Sequence, residues 1–312
     1  MEIRNLGRSG LRVSSIGLGC NNFGGRINEA ATKLVIHKAL DLGITLFDTA
    51  DVYGERGGSE EVMGRILGDD RKRIVLATKF AAPMDDSEEM MGGSRRYIMA
   101  AVEDSLRRLR TDWIDLYQMH RVDPRTPIEE SLRALDDLIR QGKVRYIGCS
   151  NFPAWQMTEA VWTARAAGLT GFVSCQDEYS LVHRAPEAEL LPAARKLGFG
   201  LLPYFPLASG LLTGKYRRNV NLPAGTRLAM TQRLADRYLS ERNWEIAEKL
   251  GDFVEKRGRT MLELAFSWLL AQDPVASVIA GATRPEQLEQ NVKAGGWVLT
   301  EDELAEVGRI TS

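Results

Sequence analysis

Short apolar runs alternate along most of the chain with longer stretches in which apolar residues recur every three or four positions. The short runs are Ser15–Cys20, Thr45–Phe47, Ile74–Lys79, Leu116–His120, Val144–Ser150, Val173–Tyr179, Phe199–Tyr204 and Ser277–Ala280. Brief, near-continuous apolar runs of this kind read as strands buried on both faces. With helical patterns between them, they predict an α/β fold, a closed (β/α)8 TIM barrel. Helix starts are marked by Thr-x-x-Glu boxes at Thr126, Thr260, Thr283 and Thr300. Pro127 suits a first helical position, and Gly142 ends that helix just beyond Arg140.

Three segments break the rhythm. Arg4–Val13, with its Gly7–Gly10 turn, predicts a hairpin that plugs the barrel floor. Met84–Ser94 is polar and rich in Met and Gly, and leaves the third strand from its carboxyl end. Lys215–Tyr238, with Pro223-Ala224-Gly225 at its middle, is too long for a plain connector and predicts a lid. No internal repeat or linker composition divides the chain, so residues 1–312 read as one barrel domain with an N-terminal β-hairpin and long carboxyl-face loops. Gly17-Leu18-Gly19 begins like a dinucleotide fingerprint, but the third glycine is missing and Phe23-Gly24-Gly25 stands where a helix should open. That reading is rejected.

Composition narrows the function classes. At 312 residues, 44% hydrophobic and 27% charged, the chain is ordinary for a globular protein. A formal net charge of −1 gives no global case for nucleic acid or an anionic membrane. No apolar run reaches the roughly 18 residues of a spanning helix. Met1–Gly10 lacks a signal-peptide segment, so a cytoplasmic location is expected. Cys20, Cys149 and Cys175 are odd in number and each ends an apolar run, as reduced core thiols would. His37, His120 and His183 show no ligand spacing, and no metal is expected.

The chemistry lies where the runs end. Ile44–Phe47, Ile74–Ala77 and Ile114–Met119 lead to Asp48, Lys79 and His120, and Tyr53 follows Asp48 by five positions. Parallel strands in a barrel bring their carboxyl ends to one face, so these four groups converge. A carboxylate, an ammonium, a phenol and an imidazole together suit proton transfer to a carbonyl oxygen.

Three longer stretches carry a family resemblance. They are Gly43-Ile44-Thr45-Leu46-Phe47-Asp48-Thr49-Ala50-Asp51-Val52-Tyr53-Gly54, Ile114-Asp115-Leu116-Tyr117-Gln118-Met119-His120, and Gly142 through Phe152. The chain resembles the aldo-keto reductases from its hairpin to about Leu304. It looks most similar to the bacterial branch that also resembles potassium-channel β subunits. The resemblance implies a barrel that binds NADPH and passes hydride to aldehydes or ketones, with Asp48, Tyr53, Lys79 and His120 as the catalytic tetrad. In that scheme Tyr53 is the general acid, Lys79 favours its phenolate, Asp48 holds Lys79, and His120 orients the carbonyl.

The same resemblance implies the NADPH/NADP+ contacts. Ser150, Asn151 and Gln176 would bind the nicotinamide amide, and Tyr204 would stack on its ring. Phe205, Pro206, Leu207, Ser209, Gly210, Leu211 and Lys215 would form the pyrophosphate loop, with Arg227 over the adenosine end. Gly281, Thr283, Gln287, Gln290 and Asn291 would form the last cofactor segment, with Gly19 and Asp48 completing the set. Arg284 would add charge for a 2′-phosphate. Phe205 stands where the family often has serine, and Asp177 where it often has asparagine. Asn22 and Phe23, with Tyr53 and His120, would meet the substrate, helped by Met84, Met90, Met91 and the lid. The partner is therefore a small carbonyl compound, with no nucleic acid or membrane and the chain a monomer or homo-oligomer. The rival, a channel-associated subunit, is disfavoured because the chain starts at the hairpin.

Overall fold

The computed structural model describes residues 1–87 and 89–312. It opens with β1 (Ile3–Asn5) and β2 (Arg12–Ser14), paired antiparallel. Leu6 N bonds Leu11 O at 2.8 Å to close the turn. Leu6, Leu11 and Val13 are buried against Leu46, Ala77, Leu116 and Leu202 of the barrel strands. The hairpin thus plugs the barrel floor, and each such side chain contributes about 1.5–3 kcal/mol of apolar burial.

Eight parallel strands follow: β3 (Ile16–Gly19), β4 (Leu46–Asp48), β5 (Val75–Phe80), β6 (Ile114–Met119), β7 (Val144–Ser150), β8 (Ser174–Glu178), β9 (Gly200–Tyr204) and β10 (Val278–Gly281). They run in the order β10-β3-β4-β5-β6-β7-β8-β9. Where β9 meets the residues before β10, Leu201 N bonds Pro274 O at 2.6 Å and Ala276 N bonds Leu201 O at 3.0 Å, nearly closing the ring. This is the (β/α)8 barrel read from the apolar runs. Side chains alternate along a strand, so the residue two beyond each floor residue also points inward. Asp48 follows Leu46, Lys79 follows Ala77, Gln118 follows Leu116 and Tyr204 follows Leu202. The apolar floor and the polar layer above it are one pattern.

The outer layer begins with α1 (Glu29–Asp41), α2 (Tyr53–Leu67), α3 (Arg95–Leu109), α4 (Ile128–Arg140), α5 (Ala154–Ala166) and α6 (Leu190–Leu197). Between β9 and β10 come α7 (Arg227–Met230), α8 (Gln232–Tyr238), α9 (Glu241–Glu255) and α10 (Met261–Leu270). After β10, α11 (Pro285–Ala294) and α12 (Glu301–Thr311) finish the ring. None of these helices is long and apolar enough to cross a membrane.

Two of the four expected capping boxes form, at Thr260 and Thr300. Thr126 does not cap α4, because its hydroxyl donates to Asp123 at 2.8 Å and the cap position falls on Pro127. Thr283 lies one residue before the cap of α11, and Gln287 reaches back to its amide at 2.8 Å instead. The expected lid is irregular only up to α7. Tyr216, Leu228, Leu234 and Tyr238 are buried and pack into the core, while residues 219–221 and 223–225 are exposed. The polar segment 84–94 contains Glu88, which lies outside the described residues.

The packing of α2 on α3 gives a test. A Cβ on Gly64 of α2 would stand 2.2 Å from Arg108 O and 2.7 Å from Leu109 C, both main-chain atoms that cannot swing aside. Gly64→Ala is expected to destabilise the protein by about 1–3 kcal/mol. Gly251 of α9 has nothing within 4 Å of such a Cβ, so Gly251→Ala should stabilise by roughly 0.5–1 kcal/mol. Denaturant titration of both variants reads the difference; a neutral Gly64→Ala would mean that the two helices are not in contact there.

Candidate functional site

Asp48, Lys79 and His120 reach one space because β4, β5 and β6 are neighbours and each carries its polar residue at the carboxyl end. Lys79 has no exposed surface. Its Nζ donates to Asp48 Oδ2 at 2.6 Å, to Thr49 O at 2.9 Å and to the Tyr53 hydroxyl at 3.4 Å. Burial works against its charge, but Asp48 and the Tyr53 oxygen outweigh it and hold the ammonium above its ordinary range. Asp48 Oδ1 accepts from Gln118 Nε2 at 3.1 Å and Gln176 Nε2 at 2.8 Å. Every hydrogen-bonding oxygen of the carboxylate is engaged.

Tyr53 opens α2 on a strained turn. Residues Gly54, Glu55, Arg56 and Gly57 all have positive φ, at 67°, 63°, 66° and 121°. A Cβ on Gly54 would stand 2.5 Å from Phe23 O, so only glycine fits there. Two non-glycine residues in the left-handed region cost about 1–2 kcal/mol each, a strain that tends to persist where geometry is functional. The turn sets the phenol ring edge-on to His120, with ring centres 5.7 Å apart and planes at 82°. Burial pushes the Tyr53 hydroxyl above the ordinary phenol range, more than Lys79 pulls it down, and Asp48 adds to the rise. The expected acidifying pull of Lys79 is present, but the net shift is upward.

His120 lies just beyond β6, its amide bonded to Phe80 O at 2.8 Å. Burial, then Lys79 and Arg121, pull its imidazole down to about 3, so the ring is neutral near pH 7. Its carbonyl accepts from Asn151 Nδ2 at 3.0 Å, and Asn151 Oδ1 accepts from the Tyr204 hydroxyl at 2.8 Å.

Above these groups lies a cleft of about 700 Å³. Gly19, Asn22, Asp48, Tyr53, His120, Ser150, Asn151 and Gln176 line its inner part. Tyr204, Phe205, Pro206, Leu207, Ser209, Gly210, Lys215 and Arg227 line one side, and Gly281, Thr283 and Gln287 another. Lys79 sits behind Tyr53 rather than on the surface of the cleft. Phe23 and Leu211 are buried in the core, Asn291 is buried on α11, and Gln290 faces solvent, so these four fall outside the lining. Met84, Met90 and Met91 also lie away from it.

The lining includes residues that the sequence did not single out, notably Asn21, Arg26 and Thr213. Arg26, Lys215, Arg227 and Arg284 border the cleft, and among the described residues none of them has an acidic partner. Arg227 is held over the Phe205 ring at 4.9 Å, and burial followed by Arg26 lowers its pKa. The Ser209 hydroxyl is buried and, among the described residues, has no partner. Gly210 has φ 104°, a conformation that favours glycine, and it leaves the space beside Lys215 Nζ open. Unpaired cations, an open loop and an unsatisfied hydroxyl suit a ligand rich in phosphate. Gln118 was missed as well. The signal for it was an amide two positions before His120, hence on the same inward face of β6 as Leu116.

A sequence model of the aldo/keto reductase family matches residues 15–311. The chain is 40% identical to the oxidoreductase YrpG of Bacillus subtilis (strain 168), over 94% of this chain and 91% of that protein. It is 35% identical to the L-glyceraldehyde 3-phosphate reductase of Escherichia coli (strain K12), over 98% and 91%. It is 38% identical to a probable voltage-gated potassium channel subunit beta of Oryza sativa subsp. japonica, over 94% and 91%.

The environment of His120 fixes a pH dependence. An imidazole held at about 3 in the folded protein resists a proton that the unfolded chain takes up near 6.5. Protonation therefore favours unfolding, and this part of the stability is full above the unfolded value and lost as pH falls through the window between the two. Denaturant titrations from about pH 7 to about pH 4.5 should show a shallower loss for His120→Gln than for the wild type. An imidazole that titrates near its ordinary value by NMR would contradict the burial.

Proposed function

Because the chain belongs to the aldo/keto reductase family, we propose that it reduces the carbonyl group of small aldehydes or ketones with NADPH. The observation that carries this reading is the buried Lys79–Asp48 pair, whose ammonium reaches the Tyr53 oxygen at the base of a cation-lined cleft. An ammonium has three N–H donors, and Lys79 commits one each to Asp48, Thr49 and Tyr53. The Tyr53 oxygen therefore accepts from Lys79, and its own hydrogen is left to point into the cleft. Its raised pKa keeps it protonated at neutral pH, the form in which it gives a proton to a carbonyl oxygen. As that proton leaves, the phenolate forms against an ammonium already in place, so charge is stabilised where it develops. Neutral His120, edge-on to the same ring, orients the carbonyl by hydrogen bonding without competing as a cation.

Bound NADPH supplies the hydride. Tyr204 offers an aromatic face for its nicotinamide, with Ser150, Asn151 and Gln176 for the amide. Lys215 suits its phosphates, and Arg227, Arg284 and Gln287 its adenosine end. One end of the Gln176 amide is engaged by Asp48, which leaves the other for the ligand.

Two measurements test the reading. Tyr53→Phe removes only the hydroxyl, so turnover in a panel of aldehydes and ketones should fall by roughly 100-fold or more while NADPH still binds. Retention of more than about half the turnover, with chemistry limiting, would remove Tyr53 from its role. The panel should include L-glyceraldehyde 3-phosphate, the compound in the name of the Escherichia coli relative. Cofactor titration that finds NADPH bound but no carbonyl reduced would favour a subunit role, as in the name of the Oryza sativa relative.

The unpaired cations give the second test. NADPH should be preferred to NADH, because its extra phosphate gives these groups more charge to grip. Lys215→Met should weaken NADPH binding by about tenfold, the loss of one charge-assisted hydrogen bond. Equal efficiency with both cofactors would refute the preference and leave carbonyl reduction standing.

A further inference from the structure

Gln118 lies two residues before His120 on β6, in register with Lys79 on β5 and Gly148 on β7. It has no exposed surface and does not line the cleft. Its Nε2 donates to Asp48 Oδ1 at 3.1 Å, beside the 2.8 Å bond from Gln176 to the same oxygen. Its Oε1 has no partner among the described residues. The layer directly below is made of Leu46, Ala77 and Leu116. An amide half satisfied in such surroundings is unfavourable, and a methionine of similar length would fill the same space without that cost. Breaks of the local pattern of this kind are expected at functional sites.

We propose that Gln118 is a positioning residue for the carbonyl reduction, acting on Tyr53 through Asp48 and Lys79; the inference rests on the function proposed above. Two neutral donors on Oδ1 fix the plane of the carboxylate and leave Oδ2 for Lys79. Lys79 is then held with a third N–H on the Tyr53 oxygen. Neutral donors do this without competing for the ammonium, as a second cation would. Gln176 lines the cleft, where the ligand would share it, whereas among the described residues the side chain of Gln118 makes its polar contact with Asp48 alone. The pair thus keeps one donor on Asp48 that ligand binding does not disturb.

The test uses the full-length protein with NADPH and the best carbonyl of the panel. Gln118→Met should lower kcat by about tenfold or more, the loss of a hydrogen bond to a charged group. The carbonyl KM and the NADPH Kd, read by fluorescence, should stay within about twofold, since the cleft keeps all its lining. In an Asp48→Ala background the acceptor is gone, so Gln118→Met should add nothing to the residual loss. Thermal unfolding checks that the variants are folded. Should the Met variant not fold, Gln118→Glu preserves the shape but sets a second carboxylate against Asp48, and it too should lose turnover with NADPH binding kept. Full kcat in the Met or the Glu variant, or a loss additive with that of Asp48→Ala, overturns the proposal. A wild type that reduces no carbonyl, or a Tyr53→Phe variant that keeps its turnover, overturns the reaction itself and this role with it.

Discussion

A charged amine with no contact with solvent, set at the top of an apolar bore, is the constraint around which this molecule is arranged. Lys79 stays an ammonium because Asp48, a main-chain carbonyl and the Tyr53 oxygen each take one of its N–H groups. Losing one partner of such a buried pair costs about 3–5 kcal/mol, because the other is left as an uncompensated charge. The fold therefore protects the pair from every side. β4 and β5 fix the two side chains in neighbouring strands, two glutamine amides hold the free oxygen of the carboxylate, and the hairpin seals the bore below.

The electrostatics of the cleft and of the whole chain are different matters. A formal net charge of −1 excludes any broad attraction to polyanions. Many arginines elsewhere are neutralised in pairs, such as Arg71 with Asp115 at 2.7 Å and Arg108 with Glu60 at 2.7 Å. Around the cleft, Arg26, Lys215, Arg227 and Arg284 have no acidic partner among the described residues, and these four cations border a common space. A local excess of one sign on a concave surface is worth more than its share of net charge suggests.

Much of this was legible in the chain. The strands follow from the apolar runs, and Asp48, Lys79 and His120 from the polar residue at each carboxyl end. The Thr260 and Thr300 boxes depend on residues within one turn and were readable for that reason. Thr126 was misread because Asp123 takes its hydroxyl, an alternative partner equally near in sequence. Gln118 was hidden because its partner lies 70 positions away, across two strand pairings. The left-handed turn after Tyr53 was hidden too, since Glu55 and Arg56 carry no sign that they adopt a conformation suited to glycine. The direction of the Tyr53 shift needed the extent of burial, which no local pattern gives.

The hairpin has a consequence for traffic. With Leu6, Leu11 and Val13 packed across the lower end, the bore is a cul-de-sac. With the floor closed, the cleft above Tyr53 is the side from which that hydroxyl is reached among the described residues. The first 14 residues therefore limit approach to the site from the face of the barrel opposite to it.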